Sequence, residues 1–303
     1  MKRIKTIFTA TLMAMAGTAG AQTTNYVHII KTDGTEIQFS QTEIQSMTID
    51  TERLPTDYVE FTHDGKTIKV ATMNLGATTV AESAKTCYGN YYAWAATEPY
   101  CTVAVASNSG TATPKEGHSG GYKKENAPYY SGSGYTKYTS PGETLEASDD
   151  AATIEMGEGW HIPTQDEIQT LYNACGGSGE YMDITTISSG SSYSKGIYYV
   201  NGATTPVTIG SDTYKVNGWL FVQNATTHVF FPAAGYIMYT EMLDVGENGG
   251  YWSSTFYYDE TYDNADKEQA SSLWLRNDNL FEDVFPSSHD TRETGLTIRP
   301  FKN

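Results

Sequence analysis

Hydrophobic and polar positions alternate along most of this chain in short runs of four to five residues, the period of half-buried strands. Tyr26-Val27-His28-Ile29-Ile30 and Glu36-Ile37-Gln38-Phe39 flank Asp33-Gly34, a pair suited to the positive φ values of a tight hairpin turn. Ser40-x-x-Glu43 then resembles a capping box for one helical turn, and Met47-Thr48-Ile49 predicts a third strand. The hairpin signature recurs where Val59-Glu60-Phe61 and Thr67-Ile68-Lys69-Val70 bracket Asp64-Gly65. One stretch has a different period: Ile168, Leu171, Tyr172 and Cys175 fall at i, i+3, i+4 and i+7, which predicts a helix with one buried face. Its start is marked by Pro163, by Thr164 as N-cap, and by the capping box Thr164-x-x-Glu167; Asp166 and Glu167 suit the positive end of the dipole, and Gly176-Gly177 stop the helix. Strand-like runs resume at Trp219-Leu220-Phe221-Val222, Val229-Phe230-Phe231, Tyr251 to Thr255, Ser272 to Leu275, and Leu296-Thr297-Ile298. Between Cys101 and Asp149 the chain turns to Ser, Gly, Thr, Tyr and Pro, which reads as one long loop; a similar polar stretch covers Ser188 to Ser194.

The beginning of the chain follows another logic. Met1-Lys2-Arg3 and Lys5 precede an apolar stretch from Ile7 to Ala16, and Ala19-Gly20-Ala21 supplies small residues for cleavage before Gln22. This order predicts a secretory signal peptide over 1–21. The stretch is shorter than the roughly 20 apolar residues a spanning helix needs, and no comparable one follows, so no transmembrane segment is expected after signal removal. No cysteine stands at the cleavage site, so a lipoprotein is not expected. The expected organisation is therefore a signal over 1–21, a small N-terminal β element over 22–51, a linker over 52–57 containing Pro55, and one larger domain over 58–303.

Charge narrows the function classes. The 303 residues carry 36 acidic against 19 basic side chains, and three of the basic ones lie in the signal. A nucleic-acid partner is not expected of so acidic a surface. The 23 Tyr and 28 Gly also set the chain apart from a disordered acidic tail or a coiled coil. Three cysteines, Cys87, Cys101 and Cys175, permit at most one internal bridge, with Cys87 and Cys101 as the candidate pair and Cys175 on the buried helix face.

Seven ordered blocks carry a resemblance: Ala71-Thr72-Met73-Asn74-Leu75-Gly76-Ala77; Tyr88-Gly89-Asn90-Tyr91-Tyr92-Ala93-Trp94; Asp149-Asp150-Ala151-Ala152; Gly159-Trp160-His161-Ile162-Pro163-Thr164; Phe231-Pro232-Ala233-Ala234-Gly235-Tyr236; Tyr251-Trp252-Ser253-Ser254-Thr255; and Ile298-Arg299-Pro300. In this order they resemble the Fibrobacter succinogenes major paralogous domain, an exported bacterial family with a C-type-lectin-like fold. The N-terminal stretch, with its Asp-Gly-Thr hairpin, is similar to one common in exported proteins of Bacteroidota-type bacteria. The resemblance implies an α+β domain of short antiparallel strands, few helices and long loops, with its first and last strands paired and Thr67 to Val70 beside Leu296 to Ile298. It implies a function less sharply, because this scaffold supports sugar binding, protein binding and catalysis. The calcium-dependent lectins of the fold use Glu-Pro-Asn or Gln-Pro-Asp with Trp-Asn-Asp. Here Glu98-Pro99 is followed by Tyr100, and Leu275-Arg276 separate Trp274 from Asn277-Asp278, so that site does not carry over. The related formylglycine-generating enzymes need paired cysteines in the C-terminal part, and no cysteine follows Cys175.

Candidate chemistry beyond the resemblance is sparse. Gly117-His118-Ser119-Gly120-Gly121 matches a nucleophile elbow in letters, but such an elbow needs a strand before it and a helix after it, and the surrounding polar sequence predicts neither. Ser192-x-x-Lys195 lacks the companion motifs of a β-lactamase. His161 reads as a hydrogen-bonded structural histidine. The candidate recognition site is the loop from Thr255 to Gln269, where Tyr257, Tyr258 and Tyr262 are interleaved with Asp259, Glu260 and Asp263 and followed by Asp266 and Glu268. Tyrosine rings offer rigid amphipathic contact area at low entropy cost. The carboxylates are oxygen ligands of the kind calcium takes, yet no EF-hand order is present, so no cofactor is expected. The expected protein is an exported, non-catalytic recognition module at the cell surface, in the medium or in the periplasm, binding a glycan or protein ligand. The alternatives are a structural subunit of a surface or fimbria-like assembly and an enzyme related to the formylglycine-generating ones.

Overall fold

In the computed structural model, residues 26–30, 36–40, 58–177, 195–209, 212–258, 267–277 and 284–303 are described. Contacts divide the chain into Met1–Thr51 and Glu52–Asn303. The first unit contains an antiparallel pair, Tyr26–Ile30 with Glu36–Ser40, in a register that sets Ile30 opposite Glu36. The signal, the linker, the Asp33-Gly34 turn and the strand expected at Met47 to Ile49 lie outside the described residues.

The second unit is predominantly β, its described residues forming several small antiparallel sheets and three helices. It opens with the expected hairpin: Tyr58–His63 pairs with Lys66–Ala71 across Asp64 and Gly65, whose φ values of 47° and 77° explain why this dipeptide stands there. Lys66–Ala71 pairs in turn with Phe301–Lys302, which pairs with Trp160–His161, so the two ends of the unit share one sheet. The expected neighbour of Thr67 to Val70, Leu296 to Ile298, is not the one found. Val70 faces Phe301, while Leu296–Thr297 lies in the five-stranded sheet between Gly249–Phe256 and Tyr91–Tyr92.

The chain changes sheets at Ile298-Arg299-Pro300. Pro300 has no N–H to give a ladder, but its carbonyl accepts from Ala71 N at 2.9 Å, as that of Ile298 does from Leu75 N at 2.9 Å. Between them Arg299 is fully buried; it donates to the carbonyls of Ala71 at 2.9 Å and Phe230 at 2.7 Å, and its guanidinium lies 4.5 Å from the Phe231 ring. Burial lowers its pKa to about 10, still far above neutrality, so it clamps three segments as a cation.

The helix from Gln165 to Ala174 is closed as its sequence demands, with Thr164 and Glu167 exchanging both bonds of a capping box. Ile168, Leu171 and Cys175 are buried, whereas Tyr172 is half-buried and Thr170 and Ala174 complete the inner face. Two further helices, Ala84–Cys87 and Ala151–Met156, were not foreseen; each is a turn or two long, too short to show a period. Asp150 caps the latter by accepting from Thr153 N and also binds Ile162 N at 2.7 Å.

The long loop expected from Cys101 to Asp149 begins instead with a hairpin, Cys101–Ala106 against Ser109–Pro114, joined through Thr111 and Glu241 to a second hairpin, Tyr236–Met238 with Glu241–Leu243. On the first strand Cys101, Val103 and Val105 do alternate inward, a signal obscured by the polar composition of the rest of the segment, while small residues carry the second strand. The rest of that segment is held by side chains: Asp149 accepts from Lys137 at 2.7 Å, Tyr138 at 2.6 Å and Tyr129 at 2.7 Å. All three cysteines are buried and free, so Cys87 and Cys101 are not bridged.

Candidate binding cleft

The candidate loop from Thr255 to Gln269 is described only at its ends. Asp259, Glu260, Tyr262, Asp263 and Asp266 lie outside the described residues. Tyr258 is exposed, and the Tyr257 ring stacks on His289 with centroids 4.0 Å apart and planes 20° from parallel. The start of the loop therefore leans on the strand Val284–Thr291.

That strand and its partner, Gln269–Leu275, carry one wall of a cleft of about 520 Å³. Their register shifts between Ser272, opposite Ser288, and Trp274, opposite Phe285, so two residues, Pro286 and Ser287, face Leu273 alone. A bulge of this kind re-aims side chains, and it lies on an edge strand where a proline is tolerated. Gln165, from the long helix, donates to the Pro286 carbonyl and to Ser287 Oγ, covering the edge at the bulge.

Asp290 is the chemical centre of the cleft. Its Oδ2 accepts from Ser272 Oγ at 2.7 Å and from Trp274 Nε1, while Oδ1 has no hydrogen bond among the described residues. Burial pushes its carboxyl up to about 6, against the pull of the two hydrogen bonds and of Arg276. Trp274 meets Tyr236 edge to face, with centroids 5.4 Å apart at 77°. Burial, followed by the charges of Asp244 and Asp290, raises the Tyr236 phenol above its ordinary value. Arg276 is exposed, with its guanidinium 5.7 Å from the Trp274 ring and 5.3 Å from Phe285. On the opposite wall Asn248 is fixed by both ends, donating to Asp244 at 2.9 Å and accepting from Asn277 N at 2.9 Å. The cleft thus presents ring surface, acceptors and donors on side chains that are largely held in place.

A second cavity of about 290 Å³ shares Met238, Thr291 and Thr294 with the first. The hairpin Tyr236–Met238/Glu241–Leu243 reaches both, with Met238 lining each cavity and Tyr239, at its tip, lining the smaller one. Tyr239 at this tip has φ 54° and is 61% exposed. It keeps this conformation through two backbone bonds with Tyr122, each 2.8 Å, and its carbonyl lies where a Cβ on residue 121 would stand, a place only glycine leaves free.

The other candidates have structural surroundings. His161 Nε2 lies 2.9 Å from Glu167 Oε1; burial alone would lower its pKa, but the Glu167 hydrogen bond and charge raise it, and Glu167 is lowered in return. A strand, Ser109–Pro114, does precede Ser119, contrary to expectation, but turns follow it up to the 3-10 turn Lys124–Asn126, and His118 stacks on Tyr100 at 4.1 Å. Ser192 lies outside the described residues. Among the described residues no group of three His, Cys, Asp or Glu side chains gathers to hold a metal ion, and no helix is long and apolar enough to cross a membrane.

The sequence reading pointed beside this cleft rather than at it. Trp274 and Asp290 meet only through the register of two strands, which a single sequence does not reveal; the usable signal was a polar run, Ser287-Ser288-His289-Asp290, directly before a strongly apolar end. Comparison with protein-family models, with curated proteins and with solved structures finds no match to this chain.

Proposed function

We propose that this protein is an exported, non-catalytic recognition module, C-type-lectin-like in fold and related to the Fibrobacter succinogenes major paralogous domain, that binds a glycan or protein ligand at or beyond the cell surface. The signal-like N-terminus supports export, and the paired ends of the second unit support the fold. The observation that carries the reading is the cleft: an open site whose half-buried carboxylate, Asp290, keeps one oxygen free of described protein partners beside the rings of Trp274 and Tyr236. A volume of about 520 Å³ lies within the ligand-site range of about 300–1,000 Å³. A carboxylate oxygen that the described protein groups leave unbound can accept from a ligand hydroxyl or amine.

The test is a broad glycan array and a pull-down of surface proteins, run with the exported chain and with the double variant Arg276→Ala, His289→Ala. Both residues are exposed on the cleft rim, so the variant is expected to stay folded. Binding by the parent that falls about tenfold or more in the variant is the expected result. Equal binding by both chains removes the cleft from the function.

A further inference from the structure

We infer that the cleft and the smaller cavity beside it act as one groove that takes an extended oligosaccharide chain across the Tyr239 hairpin tip, an inference that rests on the recognition reading above. The two cavities share Met238, Thr291 and Thr294, and Tyr239, next in the chain after Met238, lines the smaller one.

That turn is built for presentation. A tyrosine in the left-handed region is strained, and such strain persists only where the surroundings impose it. The imposed contacts are visible: two backbone bonds to Tyr122 and a glycine at 121 that makes room for the Tyr239 carbonyl. The residue is 61% exposed, and Met238 beside it is 42% exposed. An exposed, backbone-fixed ring on the smaller cavity, next in the chain to a residue that lines both, is the geometry of a platform on which a chain lies as it passes from one to the other.

The lining selects a saccharide over a peptide. The larger cavity offers hydroxyls, amides, carboxylates and a guanidinium around Trp274 and Tyr236, without an apolar floor into which a Leu or Phe side chain would drop. Both donors and acceptors are present, as sugar hydroxyls require. At the far end, Lys124 pairs with Glu268 and Lys123 lies 4.0 Å from Glu125, while Glu293 adds an acidic group, so that rim disfavours an anionic chain over a neutral one. A peptide would do best by adding a strand to the sheet edge at Val284–Thr291, and there the bulge, Pro286 and the Gln165 side chain stand in the way.

The experiment titrates the exported chain with soluble gluco-, manno-, galacto-, xylo- and N-acetylglucosamine oligosaccharides from mono- to hexasaccharide, with Tyr239→Gly as the variant, since glycine adopts the same φ without strain. In at least one series, affinity is expected to rise by about tenfold or more between mono- and tetrasaccharide, and Tyr239→Gly to remove most of that gain while leaving the monosaccharide affinity unchanged. Thr294→Val, at the shared wall, is expected to reduce the same gain. Affinity independent of length, or a Tyr239→Gly chain that binds the tetrasaccharide as the parent does, overturns the groove while leaving recognition standing. Binding to proteins alone, with no saccharide bound, also overturns the groove. A folded chain that binds nothing in the array or the pull-down overturns both.

Discussion

Asp290 is half-buried and held through one oxygen by Ser272 and Trp274, so its titration is tied to folding. Its folded pKa of about 6 lies above the ordinary aspartate value, which means that the folded state binds the proton more tightly than the unfolded one. The stabilisation from this group is complete below the unfolded value and is lost as pH rises through about 6. Asp290→Asn keeps an acceptor for both donors and has nothing to titrate. The variant is therefore expected to gain stability over the parent on going from about pH 5 to about pH 8, read as the change in urea midpoint. A gap that stays constant across that range would show Asp290 to be ordinary. The pair His161–Glu167 behaves differently: the raised histidine contributes below its unfolded pKa and loses this as pH rises through its folded one, while the lowered glutamate contributes above its unfolded pKa and loses this as pH falls through its folded one.

Among the elements, the terminal strand Phe301–Lys302 is two residues long yet joins Lys66–Ala71 to Trp160–His161. Phe301 is 1% exposed and packs in the cluster with Phe61, Val70, Ile168 and Leu171. Phe301→Ala is expected to cost about 3–5 kcal/mol, measured by chemical unfolding, because it opens a cavity where three segments meet. A loss under about 1 kcal/mol would mean that the ends of the unit are not held as the sheet implies. These elements also show what a single sequence can and cannot disclose. The long helix and the Asp64-Gly65 hairpin were legible because their caps and turn residues act locally, within three or four positions. The switch of sheets after Leu296–Thr297 was not, because Pro300 and Arg299 acquire their roles from Ala71 and Phe230, far away in the chain. The cleft was legible only as a neighbourhood: Tyr257 reaches His289 through space, and the bulge that shifts Trp274 against Phe285 leaves no mark that alternation detects.

At the scale of the whole molecule, the question is whether the N-terminal hairpin is needed by the rest of the chain. A two-stranded hairpin by itself is marginal in water, so Tyr26–Ile30 with Glu36–Ser40 gains most of any lasting order from a neighbour. The unit Glu52–Asn303, by contrast, has its own sheets, its own paired ends and three buried clusters, which together supply what an independent domain needs. A chain of residues 52–303 is therefore expected to melt within a few degrees of a chain of residues 22–303 and to bind the same array ligands. Both chains are expected to stay monomeric on dilution, since the sequence carries a net charge of −17 and its first 21 residues contribute only basic groups, so that chains without them repel copies of themselves. Light scattering over a concentration series, with the melting temperature taken alongside, reads both expectations. Polymers formed by the longer chain and absent from residues 52–303 would move the function from recognition to assembly, with the hairpin as the docking element. A shorter chain that fails to fold would show that the hairpin completes the domain, and the division at Thr51 would then not be a domain boundary.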